Sequence, residues 1–97
     1  MEDDFQIDDT SPEYLRSRKN FTLPIDVEED LLNKLEILKK NPDSIVKELK
    51  GKYHGIYKVY IGKNRRTHRL LCMINWNKRK VRLLIIKPRN FAYSESV

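Results

Sequence analysis

One cysteine, three glycines and no apolar run long enough to cross a bilayer set the first limits on this 97-residue chain. Cys72 alone cannot close an internal disulfide, and with His54 and His68 it makes no recognisable metal-ligand spacing, so a disulfide scaffold is excluded and a zinc fold is not expected. The apolar runs, such as Leu70 to Ile74 and Leu83 to Ile86, fall far short of the ~20 residues of a membrane span. The start Met1-Glu2-Asp3-Asp4 carries acid where a signal peptide carries base. The sequence therefore reads as soluble and cytoplasmic, with no membrane partner. Its length suits one compact domain over residues 1–97.

Acid is nearly missing from the second half. Residues 1–45 carry 12 acidic and 6 basic side chains and residues 46–97 carry 2 acidic and 14 basic, so the net charge of +6 divides into −6 and +12. A charged fraction of 35% would point to disorder if the apolar residues were scattered, but they are gathered into runs that can build a small core. A basic half with interspersed aromatics suggests a polyanionic partner, nucleic acid first, because Lys and Arg gain affinity by releasing counterions. Solvating a sheet face is the plainer use of such charge, and +12 exceeds what solubility needs.

The order of elements follows from periodicity. Phe5 and Ile7 alternate within Asp3 to Asp9, which predicts a short edge strand. Thr10-Ser11-Pro12-Glu13 signals a helix over about residues 12–19. Asp26-Val27-Glu28-Glu29 reads as an acidic N-cap with Glu at N3, opening a helix over residues 26–40 whose Leu31, Leu32, Leu35 and Leu38 recur at helical spacing. Lys39-Lys40-Asn41-Pro42 ends it. Beyond Leu49-Lys50-Gly51 the period changes to two, with strands from Tyr57 to Ile61, Thr67 to Asn75 and Lys80 to Lys87. Short turns between them predict an antiparallel meander. The fold class is α+β: an antiparallel sheet of this meander plus the short N-terminal strand, with two helices on one face and the other face open to a ligand.

If Tyr57, Val59 and Ile61 face the helices, Lys58 and Tyr60 lie on the open face. Placing Cys72 and Ile74 in the core then sets Arg69 beside Lys58, and the reverse parity would bring in His68 instead. Cys72 reads as a small buried hydrophobe. Trp76 reads either as a base-stacking group or as a turn anchor.

The run Leu49-Lys50-Gly51, Gly55-Ile56-Tyr57-Lys58-Val59, His68-Arg69-Leu70-Leu71, then Arg89 with Tyr93-Ser94-Glu95, resembles the RelE branch of the RelE/ParE toxin superfamily. The resemblance covers roughly residues 26–97. It implies a RelE-like fold and the toxin of a type II toxin–antitoxin system, an endoribonuclease that cleaves mRNA in the ribosomal A site without metal or cofactor. Its partners would be a cognate antitoxin, the ribosome and mRNA. Carried over by motif, Arg69 would clamp the scissile phosphate and Lys58 would stabilise developing charge. Arg89 would be a second phosphate ligand or leaving-group stabiliser, and Tyr93 would stack on a base or move a proton. The RelE pattern has a second lysine two residues after the first; that position here is Tyr60, so Tyr60 becomes a candidate proton shuttle and Arg65 or Arg66 a candidate for the missing cation. Lys78, Arg79, Lys80, Arg82 and Lys87 join Arg65 and Arg66 as expected RNA or ribosome contacts. The alternatives are a non-catalytic ParE-like toxin that blocks a protein target such as DNA gyrase, and a plain RNA-binding accessory protein.

Overall fold

The computed structural model describes residues 4–53, 55–63 and 67–88. The elements run β1 (Gln6–Asp8), α1 (Pro12–Asn20), α2 (Ile25–Lys40), β2 (Lys47–Glu48), β3 (Ile56–Ile61), β4 (His68–Asn75) and β5 (Lys80–Pro88), with short 3₁₀ turns at Pro42–Ser44 and Gly51–Tyr53. Among the described residues, the five strands form one sheet in the order β1-β5-β4-β3-β2.

The α+β class and the β3-β4-β5 meander stand as expected, but the sheet is mixed rather than antiparallel. β1 lies parallel to β5, with Gln6 beside Lys80 and Asp8 beside Arg82. The two-residue strand β2 adds to the far edge, antiparallel to β3.

Both helices cover one face. Tyr14, Val27, Leu31 and Leu38 pack with Val59, Ile61, Leu70, Cys72, Val81, Leu83 and Ile86 in one apolar core. Cys72 is fully buried and its thiol is pushed up to about 12 by that burial, so it is an inert packing group. Leu32 is 65% exposed and contributes nothing to the core, because the buried stripe of α2 runs through Val27, Leu31 and Leu38.

The helix starts differ. Ser11 caps α1 as expected: its hydroxyl accepts the Tyr14 N–H at 3.2 Å and donates to the Leu83 carbonyl. α2 begins one residue earlier than expected, with Pro24 at the cap and no side-chain cap bond. Asp26 lies inside the first turn with Glu28, where their charge meets the positive end of the helix dipole.

α1 also completes the sheet. β1 ends at Asp8, leaving the upper half of β5 without a strand on that side. Two buried serines pair with its backbone instead, Ser11 with the Leu83 carbonyl and Ser17 with the Ile86 N–H, the latter at 3.0 Å. A bulge in β5 opposite Leu71 and Cys72 lies in the same stretch.

Candidate nucleic-acid interface

The sheet face turned away from the helices takes its side chains from alternate positions on β3, β4 and β5. Val59 and Ile61 are buried under the helices, so Lys58 and Tyr60 project the other way. Lys58 stands opposite Leu71, and Tyr60 opposite Arg69. On the next strand Lys87 stands opposite Arg69. The register therefore collects Lys58, Tyr60, Arg69 and Lys87 in one neighbourhood.

Tyr60 is its centre. The Lys58 ammonium lies 5.3 Å from the Tyr60 ring centroid and the Arg69 guanidinium 5.7 Å from it, so two cations share one aromatic ring. Lys87 is only 8% exposed. Burial, and then the positive charge of Arg69, hold its ammonium below the ordinary lysine range.

The turn after β3 is held from the helix layer. Asp30 of α2 accepts the Gly62 N–H and the Lys34 ammonium, each at 2.7 Å, and Glu29 binds Lys63 at 2.6 Å. Burial pushes the Asp30 carboxyl up, but Lys34, the Gly62 N–H and Lys63 outweigh it and leave the group below its ordinary value. Gly62 has φ +136°, a conformation that disfavours a side chain. Helix α2 thus fixes the end of the strand that carries Lys58 and Tyr60.

The other expected residues fall elsewhere. His68 lies opposite Ile61 on the helix face, 8% exposed, with Nδ1 2.9 Å from the Thr67 hydroxyl; burial lowers its pKa, partly offset by Asp26. The parity that sets Arg69 beside Lys58 is the one observed, and the reverse parity that would have used His68 is excluded. Trp76 is a turn anchor: its Nε1–H donates to the Tyr57 hydroxyl at 3.1 Å, and its ring stands edge-on to Phe5 and Tyr57. Arg79 sits in the same turn at φ +55°, with its guanidinium 5.8 Å from the Phe5 ring. Lys78 is exposed in that turn, and its N–H is held by Asn75. Lys80 and Arg82 are exposed on the open face opposite Asn75 and Met73, six and four residues along β4 from Arg69, or about 20 and 13 Å. Arg65, Arg66, Arg89 and Tyr93 lie outside the described residues.

Sequence reasoning missed Lys47. It belongs to a strand of two residues, too short for any period, yet the register sets it directly opposite Lys58. The burial of Lys87 was also unread, because nothing in a β-strand pattern separates a covered lysine from a solvated one.

Two further concavities lie at the two edges of the sheet. A cleft of about 310 Å³ beside Lys58 and Tyr60 is lined by Lys47, Ser44, Ile45 and Val46. A groove of about 1100 Å³ along β1 is lined by Asp4, Asp8, Asp9 and Glu36 among others, the wrong charge for a phosphate. Among the described residues no group of His, Cys, Asp and Glu is placed to hold a metal ion, and no helix is long and apolar enough to cross a membrane.

No protein-family model matches the sequence, and no curated protein matches it. Solved structures do. The chain is similar to RelE in the toxin–antitoxin complex RelBE2 of Mycobacterium tuberculosis, with a TM-score of 0.65 and 21% identity over 89% of this chain and 99% of that one. The chain has the RelE fold. The archaeal RelE–RelB complex from Pyrococcus horikoshii gives a TM-score of 0.61 at 19% identity, covering 91% of this chain and 98% of that one. The isolated E. coli RelE toxin gives 0.62 at 23%, covering 95% and 94%. In this RelE-like sheet the cationic cluster occupies the face that the helices leave open.

Proposed function

We propose that the protein is the toxin of a toxin–antitoxin pair and that its open sheet face cleaves mRNA on the ribosome. The observation that carries this reading is the gathering of Lys58 and Arg69 on the ring of Tyr60, with Lys87 opposite Arg69, on the face opposite the helices. The RelE fold and the neighbours solved with their antitoxins support the toxin assignment and a cognate antitoxin. A protein that only blocks a target has no use for a reaction centre of this kind.

The reaction asks three things of the protein. As the ribose 2′-oxygen attacks the adjacent phosphorus, the phosphorane gains negative charge, which Arg69 and Lys58 would stabilise. The 2′ proton must leave, and Tyr60, whose ring Lys58 and Arg69 share, would relay it, its oxygen taking the 2′ proton as its own proton passes to solvent. The P–O5′ bond breaks as the 2′,3′-cyclic phosphate forms, and the departing 5′-oxygen needs a proton to become a hydroxyl. Lys87, opposite Arg69 and with its proton held less tightly than that of an ordinary lysine, would supply it. Arg89 and Tyr93 remain proposed as a second phosphate ligand and a base-stacking or proton-transfer group. Arg65, Arg66, Lys78, Arg79, Lys80 and Arg82 are proposed to contact ribosomal RNA.

The test is incubation of purified protein with programmed ribosomes, followed by mapping of mRNA ends. Cuts in the A-site codon with 2′,3′-cyclic phosphate termini are expected. Arg69→Ala should slow cleavage about 10²–10³-fold, the usual cost of removing one preorganised charge-stabilising group. Intact mRNA together with inhibition of gyrase supercoiling would instead establish the blocking alternative.

A further inference from the structure

Lys47 of β2 and Lys58 of β3 stand directly opposite each other in an antiparallel pair. Such positions bring Cβ atoms to about 4.5–5.5 Å, and like charges there repel. Among the described residues, neither ammonium has a carboxylate within ion-pair distance. The third lysine at the site, Lys34, already gives its ammonium to Asp30 at 2.7 Å. A pair of this kind is relieved by an anion bound between its members.

The surroundings say what kind of anion. Lys47 and Lys58 line the cleft of about 310 Å³ whose wall is Ile45 and Val46, with Ser44 at its edge and Tyr60 beside it. That volume lies at the small end of ligand pockets, and an apolar wall next to paired cations suits one planar base with its phosphate. The Ser44 hydroxyl spends its proton on the Asn41 carbonyl at 2.8 Å, so its oxygen is left to accept from a base N–H. The cations also continue across four neighbouring strands: Lys47 on β2 stands opposite Lys58 on β3, and Arg69 on β4 opposite Lys87 on β5, the second pair offset from the first by two residues along the strands. A polymer with regularly spaced charges can follow that diagonal.

We propose that this cleft is a nucleotide subsite, in which an RNA phosphodiester bridges Lys47 and Lys58 and its nucleoside lies against Ile45 and Val46, flanking the phosphate held at Arg69. The proposal rests on the reading of the open face as an RNA-binding surface, and assigns Lys47 a binding role outside the reaction centre.

The experiment measures binding of 2′-O-methyl oligonucleotides, which cannot be cleaved, to the full chain: a dinucleotide that fits the cluster at Arg69, and a tetranucleotide long enough to enter the cleft. Lys47→Ala is expected to weaken the tetranucleotide about fivefold, the loss of one charge-assisted contact, and to leave the dinucleotide unchanged. The slope of log affinity against log salt should fall by about 0.7 for the tetranucleotide, one phosphate on a single strand. Lys47→Arg should retain both. The Ile45 and Val46 methyl resonances should shift with the tetranucleotide only. Equal weakening of both oligonucleotides, no weakening, or failure of the wild type to bind either at millimolar concentration would overturn the proposal. So would a glutamate-rich peptide that moves those methyls when the tetranucleotide does not, since that assigns the cleft to a protein partner. Binding that depends on Lys47 alongside uncut mRNA on ribosomes defeats the cleavage reading alone; cleavage with tetranucleotide binding indifferent to Lys47 defeats the subsite alone.

Discussion

The Ser17 hydroxyl accepts the Ile86 N–H at 3.0 Å while donating to the Tyr14 carbonyl at 2.8 Å, joining residues 69 apart in the chain. One short side chain thereby does for β5 what a neighbouring strand does elsewhere in the sheet. Ser17→Ala would leave the Ile86 N–H buried without a partner, at a cost of about 1–3 kcal/mol. Urea unfolding should show a lower midpoint with an unchanged slope, since the compactness of neither state alters. A midpoint equal to wild type would mean that the bond contributes nothing.

Tyr60 separates binding from chemistry. Tyr60→Phe keeps the ring against which Lys58 and Arg69 rest and removes only the hydroxyl. Cleavage on programmed ribosomes should lose kcat by about 10²–10⁴-fold, the usual size of a general acid–base contribution, with KM and thermal stability nearly unchanged. A full-rate phenylalanine variant would remove Tyr60 from the proton pathway.

The parity of β3 was legible because Val59 and Ile61 are apolar while Lys58 and Tyr60 alternate with them, and burial enforces that parity once one face is covered. On β4 the unbroken apolar run Leu70 to Ile74 left both parities open, and the one with Cys72 in the core, which puts Arg69 on the face of Lys58 and Tyr60, is the one observed. The parallel pairing of β1 was not legible, since three residues carry no information on strand direction. Leu32 misled by lying at one helical spacing while the buried stripe follows another. Asp26 misled because an acid within the first turn and an acid at the cap differ by only two residues, the cap being Pro24. The helices also prove less acidic than their half of the chain: α1 and α2 together carry six acids and six bases, so the acidic excess lies outside them, mostly before Pro12.

Lys87 sets a pH dependence. Its folded pKa is lowered, so between that value and the 10.5 of an unfolded lysine the unfolded chain holds a proton that the folded chain has lost. Stability therefore rises with pH through that window, and at neutral pH the buried ammonium opposes folding. Lys87→Met should be more stable than wild type at pH 7, with its advantage shrinking as the solution becomes alkaline, and should cleave mRNA poorly. Urea titrations at a series of pH values would show this, and an advantage independent of pH would contradict it.

Asp30 behaves in the opposite sense. Its folded carboxyl lies below the ordinary value of 3.8, so the stability it contributes is present above that pH and is lost as acid carries the solution through the folded value. Asp30→Asn should cost about 1–2 kcal/mol, because the amide meets the Gly62 N–H without charge and loosens Lys34. Amide hydrogen exchange at Gly62 should quicken in the variant while exchange at Val59 stays slow.

The parallel alignment of β1 with β5 decides where a fusion partner can be attached. Both strands begin at the end of the sheet marked by Gln6 and Lys80, and β5 then runs seven residues, about 23 Å, to reach Lys87. A tag joined ahead of β1 departs beside Lys80, at the end away from Lys58, Arg69 and Lys87, whereas a linker continued directly from Pro88 departs beside Arg69 and Lys87. Immobilisation, labelling and display therefore belong on the N-terminal side, where they leave Lys58, Tyr60, Arg69 and Lys87 accessible.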